Sequence, residues 1–315
     1  MSTLPQPSDT PSSETPDPVD ETAGPATAAA PTLTPGRESL HYAVRNPKLL
    51  IGLAIVLILL LTGVLGPLFL DSSDPNAYVG PQAAAPDGTY WLGTTTFGQD
   101  VYAQFVYGLR STFLVGVIGG GIAAIVAMLV GFLAGYRGGI VDEILTMLTN
   151  IALVIPTLAV LLIVNAYLGV RSVSVQGLFI GLTSWPWAAR AIRAQTFSLR
   201  SREFVDLARL SGSRTWRIIF REIAPNMSSY LFMMFILLFG GAILVASSLD
   251  FIGLGPTEGV SLGLMLQSAH QWSALQLGMW WWFVPPGVGI TAVVGALYVA
   301  NVGLDEVFNP KLRES

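Results

Sequence analysis

The chain has no cysteine and only two lysines in 315 residues. The lack of cysteine excludes disulfides, thiolate metal sites and cysteine nucleophiles. Neither Lys48 nor Lys311 follows the Gly-rich loop, ending in Ser or Thr, that cradles nucleotide phosphates. The sequence therefore predicts a chain that does not hydrolyse ATP itself and binds no cofactor.

Charged residues are scarce as well. They make up 11% of the chain, against roughly 25% in a soluble globular domain, while 52% of the residues are hydrophobic. Such a composition needs lipid as its solvent. The net charge of -4 arises from residues 1–36, whose five acidic and no basic side chains leave the rest at -4 + 5 = +1. That balance provides no basic surface for nucleic acid.

Residues 1–36 are rich in Pro, Ser, Thr and Ala. A segment of this composition buries too little apolar surface to offset the entropy of ordering it, so we expect a disordered cytoplasmic tail. It lacks the basic start and short apolar stretch of a cleavable signal peptide, and the first hydrophobic segment should therefore remain as an anchor.

Apolar stretches dominate the rest of the chain. A hydrocarbon core of about 30 Å needs roughly 20 apolar residues in a helix. Arg190 and Arg193 interrupt one stretch, where both side chains could reach a nearby interface. Six stretches fit and predict an all-α membrane protein with six transmembrane helices, at Leu49–Leu70, Thr112–Gly135, Ile144–Leu168, Val175 to about Ala194, Met227–Leu249 and Trp280–Leu304.

The positions of lysine and arginine predict the orientation, because short positively charged loops stay in the cytoplasm. With the N-terminus inside, fourteen of the sixteen basic residues fall on the cytoplasmic side and only Arg110 and Arg171 fall outside. Both termini are then cytoplasmic. His41 and His270 lie on opposite predicted sides, so we expect no metal site between them.

Two long segments are predicted outside, Asp71–Ser111 and Asp250–Met279. Within the first, Val101, Phe105 and Leu109 recur at helical spacing between Asp100 and Thr112. This pattern fits either an amphipathic helix lying on the outer surface or an ordinary packed connecting helix.

The segment from Leu199 to Asn226 is the most charge-dense part of the chain. Its pattern predicts two short helices divided by Gly212, which can take a positive φ and turn the chain sharply. Pro225 marks the start of the next span. The apolar faces are expected to be formed by Phe204, Leu207 and Leu210 and by Trp216, Ile219, Phe220 and Ile223. Docking to a partner and anchoring at anionic headgroups fit this pattern equally well.

A family resemblance favours docking. Asp206-Leu207-Ala208, with Gly212 at the expected offset and Pro225 thirteen residues later, resembles the EAA motif of permease subunits in ATP-binding-cassette importers. The dipeptide, oligopeptide and nickel branch is the most similar, and the extra first span resembles its C-type subunit. Further matching stretches are Leu92–Val101 followed by Tyr107–Ser111, then Ser184–Gln195 and Ser248–Gly255, and the resemblance covers about residues 40–312.

The resemblance implies the type I importer permease fold, with a first helix and outer loop at 37–111 and a five-helix core at 112–310. It also implies a second permease subunit, two cytoplasmic ATPase subunits that use ATP and Mg, and an extracytoplasmic substrate-binding protein, all at a bacterial inner (plasma) membrane. Coupling to the ATPases would then be carried by Glu203, Asp206, Ala208, Arg209, Gly212 and Pro225.

Some positions depart from the family pattern. Asp206 replaces the Glu that the family usually has, and Leu207 replaces an alanine. Glu222 lies where this branch commonly has a histidine. Thr95 and Gln99 replace an Asp and an Arg of the outer motif, which removes two charges on the side where substrate is delivered. Peptides are the expected cargo, with oligosaccharides or nickel complexes as alternatives.

Polar residues in the predicted spans are candidates for the translocation path, namely Asn150, Asn165, Ser247 and Asn301; hydrogen bonds between helices are the alternative role. Gly119-Gly120-Gly121 is expected to be a packing face rather than a hinge. Pro156 and Pro186 are expected to mark kinks. An ion-coupled carrier or channel is the rival class, but the span centres lack the ionisable residues that it would need.

Overall fold

The computed structural model describes residues 44–70, 74–168 and 172–308, which form helices with two isolated β-bridges in the segment before the second long helix. The predicted tail, His41 and the C-terminal end lie outside the described residues. The helices are α1 (Pro47–Leu65), α2 (Val101–Arg137), α3 (Gly139–Val154), α4 (Thr157–Leu168), α5 (Val173–Ser184), α6 (Pro186–Leu199), α7 (Glu203–Leu210), α8 (Thr215–Ile218), α9 (Ala224–Asn226), α10 (Ser228–Leu249), α11 (Leu262–Gln271) and α12 (Trp280–Phe308).

Four of these helices, α1, α2, α10 and α12, are each long and apolar enough to cross a membrane. They correspond to the first, second, fifth and sixth predicted spans. The third predicted span is the pair α3 and α4, bent by 75° at its break, and the fourth is divided into α5 and α6. The described residues thus contain four spans, or five with the bent pair, and the count of six stays a prediction.

The long helix α2 organises the molecule. Its 37 residues extend for about 55 Å, well beyond a bilayer core. Asp100 caps its first turn by accepting a hydrogen bond from the Tyr102 N–H at 2.9 Å. Val101 and Leu109 are fully buried, so the predicted amphipathic helix is the packed N-terminal end of α2. Of the two alternatives left open by the sequence, the amphipathic helix lying on a surface is therefore wrong.

Close helix crossings depend on small residues. A Cβ built on Gly120 of α2 would lie 2.6 Å from Phe239 Cα in α10, whereas one on Gly121 would meet nothing within 4 Å. A Cβ on Gly52 of α1 would lie 2.6 Å from the Ala296 carbonyl oxygen in α12. The packing face expected of Gly119-Gly120-Gly121 is confirmed at Gly119 and Gly120, which both meet α10, and is wrong at Gly121.

This contrast gives a matched pair of variants. Gly120→Ala should destabilise the permease by about 1–3 kcal/mol, because the new methyl overpacks against backbone that cannot move aside. Gly121→Ala should be neutral or stabilising by up to about 1 kcal/mol, because alanine favours the helix. Thermal unfolding of the two variants in detergent measures the difference. Equal unfolding temperatures would contradict the assignment of Gly120 to the crossing.

Two arginines in the fourth predicted span find partners on α3. The Arg193 guanidinium forms a two-point contact with the Asp142 carboxylate, with Nη2 at 2.6 Å from Oδ2. Arg190 Nη2 donates to Asn150 Oδ1 at 2.7 Å. Neighbouring helices therefore satisfy these guanidinium groups in place of the expected reach to the interface.

Candidate functional site

The segment 199–226 folds as α7 and then, beyond Gly212, as the short helices α8 and α9 with a π-helical turn between them. α7 places Glu203 and Asp206 in its first turn, where acidic side chains favour the helix dipole. α8 continues through a π-helical turn at Ile219–Ile223 into α9. Pro225 lies in α9, and α10 begins three residues later at Ser228. Single π-turns often occur at functional positions in helices.

Gly212 makes the turn between α7 and α8. Its φ is +72°, and its N–H donates to the Arg209 carbonyl at 2.9 Å while the Ser213 N–H donates to the Ala208 carbonyl at 3.1 Å. These two bonds are the Schellman motif that ends a helix with a left-handed residue. The expected division of two helices at Gly212 is confirmed.

One face of this segment is anchored to the membrane helices. Val205, Ile218, Ile219 and Ile223 are buried in one apolar cluster with side chains that include Phe132 of α2 and Ile192 of α6. Such a cluster should make the segment move together with the ends of α2 and α6.

A polar contact reinforces this anchor. Arg209 pairs with Asp206 at 3.1 Å, donates to the Tyr136 hydroxyl at 3.4 Å and lies 5.2 Å from the centre of that ring. The hydrogen bond to Tyr136 raises the pKa of Arg209. Because Tyr136 lies in α2, this contact ties α7 to the end of the longest helix.

The opposite face is apolar and exposed. Leu207 is 65% and Leu210 is 86% exposed. The rings of Trp216 and Phe220 stack 5.8 Å apart and are about half-exposed, and the Phe220 ring also lies edge-on to Phe132 at 6.5 Å. We call Leu207, Leu210, Trp216 and Phe220 the exposed patch.

The two predicted apolar faces are therefore wrong as groups, because Phe204, Ile219 and Ile223 pack inward while the four residues of the exposed patch do not, and the buried Val205 belonged to neither predicted face. Apolar side chains lie on both sides of α7, so periodicity alone could not separate them.

Four of the six predicted coupling residues lie in α7, Gly212 lies in the turn that follows it, and Pro225 lies in α9. Ala208 is half-buried, whereas the other five are exposed: Glu203, Asp206, Arg209, Gly212 and Pro225. An exposed apolar patch beside charged groups is typical of a surface that docks another protein. The coupling roles of these six residues stay a prediction.

A second feature is a cleft of about 440 Å³ between the broken helices. It lies where α3 gives way to α4 and α5 to α6, and α10 and Tyr298 of α12 complete its lining. Its lining includes Leu153, Thr157, Thr183, Ser184, Trp187 and Tyr298.

The four predicted path residues lie outside this lining. Asn150 accepts from Arg190, and Asn165 Nδ2 donates to the Leu254 carbonyl, so both bridge separate elements. Asn301 Oδ1 is buried without a hydrogen-bond partner among the described residues, and Ser247 packs closely beside Gly263. Their path role stays a prediction. The signal for the cleft was the pair of prolines at the breaks, Pro156 and Pro186.

The departures in the outer motif form a neutral network. Thr95 is fully buried, and Gln99 Nε2 donates to the Asn76 carbonyl at 3.0 Å. Gln104 Nε2 donates to Gln99 Oε1, also at 3.0 Å. Amide hydrogen bonds thus link the segment before α2 to its first turns at the positions that depart from the family pattern. Across residues 44–70, 74–168 and 172–308, no three His, Asp or Glu side chains are grouped to hold a metal ion.

Comparison with known proteins identifies similar chains along nearly the whole length. Residues 127–314 match the family described as binding-protein-dependent transport system inner membrane component. A dipeptide transport system permease protein, DppC, from Alkalihalophilus pseudofirmus is 30% identical, covering 89% of this chain and 91% of the relative. The protein of the same name from Bacillus subtilis is 28% identical over 90% and 88%. A putative peptide permease protein from Brucella suis is 30% identical over 88% and 91%.

Proposed function

The chain belongs to the family of binding-protein-dependent transport system inner membrane components, and from this premise we propose that it is one permease subunit of an ATP-driven peptide importer. It would work in a bacterial inner membrane with a second permease subunit, two cytoplasmic ATPase subunits and an external binding protein. Its termini and the exposed patch would face the cytoplasm. Three relatives named for dipeptide or peptide transport support peptides as the cargo.

The observation that carries this proposal is the two-sided segment at 199–226. Its inner face is buried against α2 and α6, and its outer face presents Leu210, Trp216 and Phe220. A loop that only anchors at anionic headgroups needs basic side chains but not exposed acidic ones. Glu203 and Asp206, both exposed, disfavour that role and suit a protein partner.

Coupling would follow from this geometry. When the ATPase subunits close around ATP, they would carry α7 and α8 with them. The buried contacts of Val205 and Ile218 would pass that displacement to α2 and α6. The spans would then switch from inward-facing to outward-facing and receive substrate from the binding protein.

Uptake by the whole importer tests the function. Proteoliposomes that contain both permeases, the ATPase subunits and the binding protein should accumulate peptide only with ATP, and vanadate should stop them. Titrating the binding protein with peptides and oligosaccharides identifies the cargo class. Uptake that continues without ATP would instead indicate a channel or an ion-coupled carrier.

A single substitution tests the docking surface. Leu210→Asp should lower ATPase co-purification by on the order of tenfold or more, because a central apolar anchor contributes about 1.4 kcal/mol or more to a protein interface. Leu68→Asp is the matched control, since Leu68 is similarly exposed but lies in the 3-10 turn Gly66–Phe69 that follows α1. If both variants retain their ATPase subunits equally, the exposed patch is not the docking surface.

A further inference from the structure

We propose that the cleft between the broken helices is the passage for cargo on this subunit, and that Ser184, Trp187 and Tyr298 contact the cargo as it crosses. This inference rests on the proposed function and adds which residues form the passage. The roles proposed for the coupling residues stay the same. The supporting observations are the convergence of two helix breaks, the depth of the cleft and the chemistry of its lining.

Both helix breaks open onto the same cleft. Thr157 begins α4 beyond one break, and Ser184 ends α5 at the other. Backbone that departs from a helix at membrane depth leaves polar groups without intrahelical partners. Such backbone is tolerated where it lines a water-filled cavity or is buried in protein. The backbone leaves the helical conformation at Ile155, between α3 and α4, whereas Trp185, between α5 and α6, stays helical. The exposed side chains of Trp187 and Tyr298 in the same lining favour a cleft that water reaches.

Proline chemistry adds acceptors to the cleft. Pro156 has no N–H, so it cannot donate to the carbonyl of Ala152, four residues earlier. Ala152 lines the cleft. Pro186 lines it as well and likewise cannot donate within its helix. The passage would therefore offer main-chain oxygen atoms in addition to side-chain groups.

The cleft lies at the depth that a passage must cross. Gly241 lines it and is close to the middle of α10, a helix of 22 residues. Tyr298 lines it from the central part of α12. A cavity of about 440 Å³ is within the usual range for sites that hold small organic ligands.

The lining of the cleft suits the uncharged main chain of a peptide. None of the described residues that line the cleft is Asp, Glu, Lys, Arg or His. Thr183 already donates its hydroxyl hydrogen to backbone oxygens of α5, which leaves its oxygen free to accept. Trp187 and Tyr298 are both partly exposed and add broad apolar surfaces. Peptide N–H and C=O groups would find partners here, and side chains of either charge would meet no fixed charge.

The absence of cysteine from the chain allows a direct test. Ser184→Cys in the complete importer should react with a membrane-impermeant, cationic methanethiosulfonate reagent, and the added bulk should reduce ATP-driven peptide uptake at least tenfold. Excess transported peptide should slow the labelling. Ile58→Cys is the matched control, because Ile58 is exposed on the outside of α1 and should face lipid. The unsubstituted importer treated with the same reagent corrects for cysteines in the partner subunits.

The outcomes separate the two proposals. If the unsubstituted importer takes up no peptide with ATP, the proposed function fails whatever the labelling shows. If it transports, but Ser184→Cys stays unlabelled or is labelled without loss of uptake, the passage is elsewhere. Tyr298→Cys is the second variant, for use if Ser184→Cys does not assemble, and the same two results would overturn the inference.

Discussion

Replacing Gly212 by valine is expected to reduce peptide uptake by on the order of tenfold or more while the chain remains in the membrane. Gly212 has a φ of +72°, which a β-branched residue adopts only at a cost of about 1–3 kcal/mol. A Cβ there would meet nothing within 4 Å, so the substitution produces strain and no clash in this subunit. Loss of the turn should rotate α7 away from α8 and split the exposed patch.

Gly212→Asn is the control for this prediction. Asparagine adopts positive φ far more readily than valine, so it should retain most of the uptake although its side chain is larger than a hydrogen. ATP-driven uptake and ATPase co-purification, each normalised to the amount of permease in the membrane, provide the comparison. Normal assembly and uptake in Gly212→Val would refute the coupling role of this turn.

Hydrophobic length predicted the four long helices correctly because α1, α2, α10 and α12 are continuous apolar stretches. It could not predict where the third and fourth predicted spans are divided into two helices each. There the helix breaks depend on Pro156 and Pro186, and counting apolar residues in a window takes no account of a proline inside it. It also placed the start of the second span at Thr112, although α2 begins at Val101. Burial against α11 and α12, which the local sequence does not show, explains this difference.

The segment 199–226, here called the coupling segment, was easier to locate in the sequence than to orient. Its charge density and the positions of Gly212 and Pro225 identified the segment and its turn. Which apolar residues face inward depends on the shapes of α2 and α6, where Phe132 and Ile192 receive Val205. The residues that line the path were harder still to predict from the sequence. Asn150 and Asn165 were selected because they are polar residues in apolar helices. In the structure both are engaged in hydrogen bonds between elements.

Helix α6 links the two proposed sites. It begins at the cleft with Pro186 and Trp187, and it ends at Leu199, where the coupling segment starts. Ile192, between these ends, is buried in the cluster that holds Val205. A displacement of α7 therefore has a short mechanical path to the cleft, through one helix and one apolar cluster. The partners of α6 should then matter for both stability and transport.

Asp142→Ala is the strongest test of those partners. The substitution should destabilise the permease by about 1–3 kcal/mol, because it leaves the Arg193 guanidinium between helices without its carboxylate. The value is below that for a fully buried pair, since the two side chains are 33% and 17% exposed. A lower unfolding temperature in detergent and less chain in the membrane should report the loss.

Two controls make the Asp142 prediction specific. Glu143→Ala removes an exposed carboxylate one residue along the same helix and should change the unfolding temperature little. The double variant Asp142→Ala with Arg193→Ala should recover part of the lost stability, because removing both partners leaves no unpaired charge. Equal losses in Asp142→Ala and Glu143→Ala, or no recovery in the double variant, would show that the pair does not hold α3 to α6. Recovery of stability without recovery of uptake would mean that the charge pair itself takes part in passing motion from the coupling segment to the cleft.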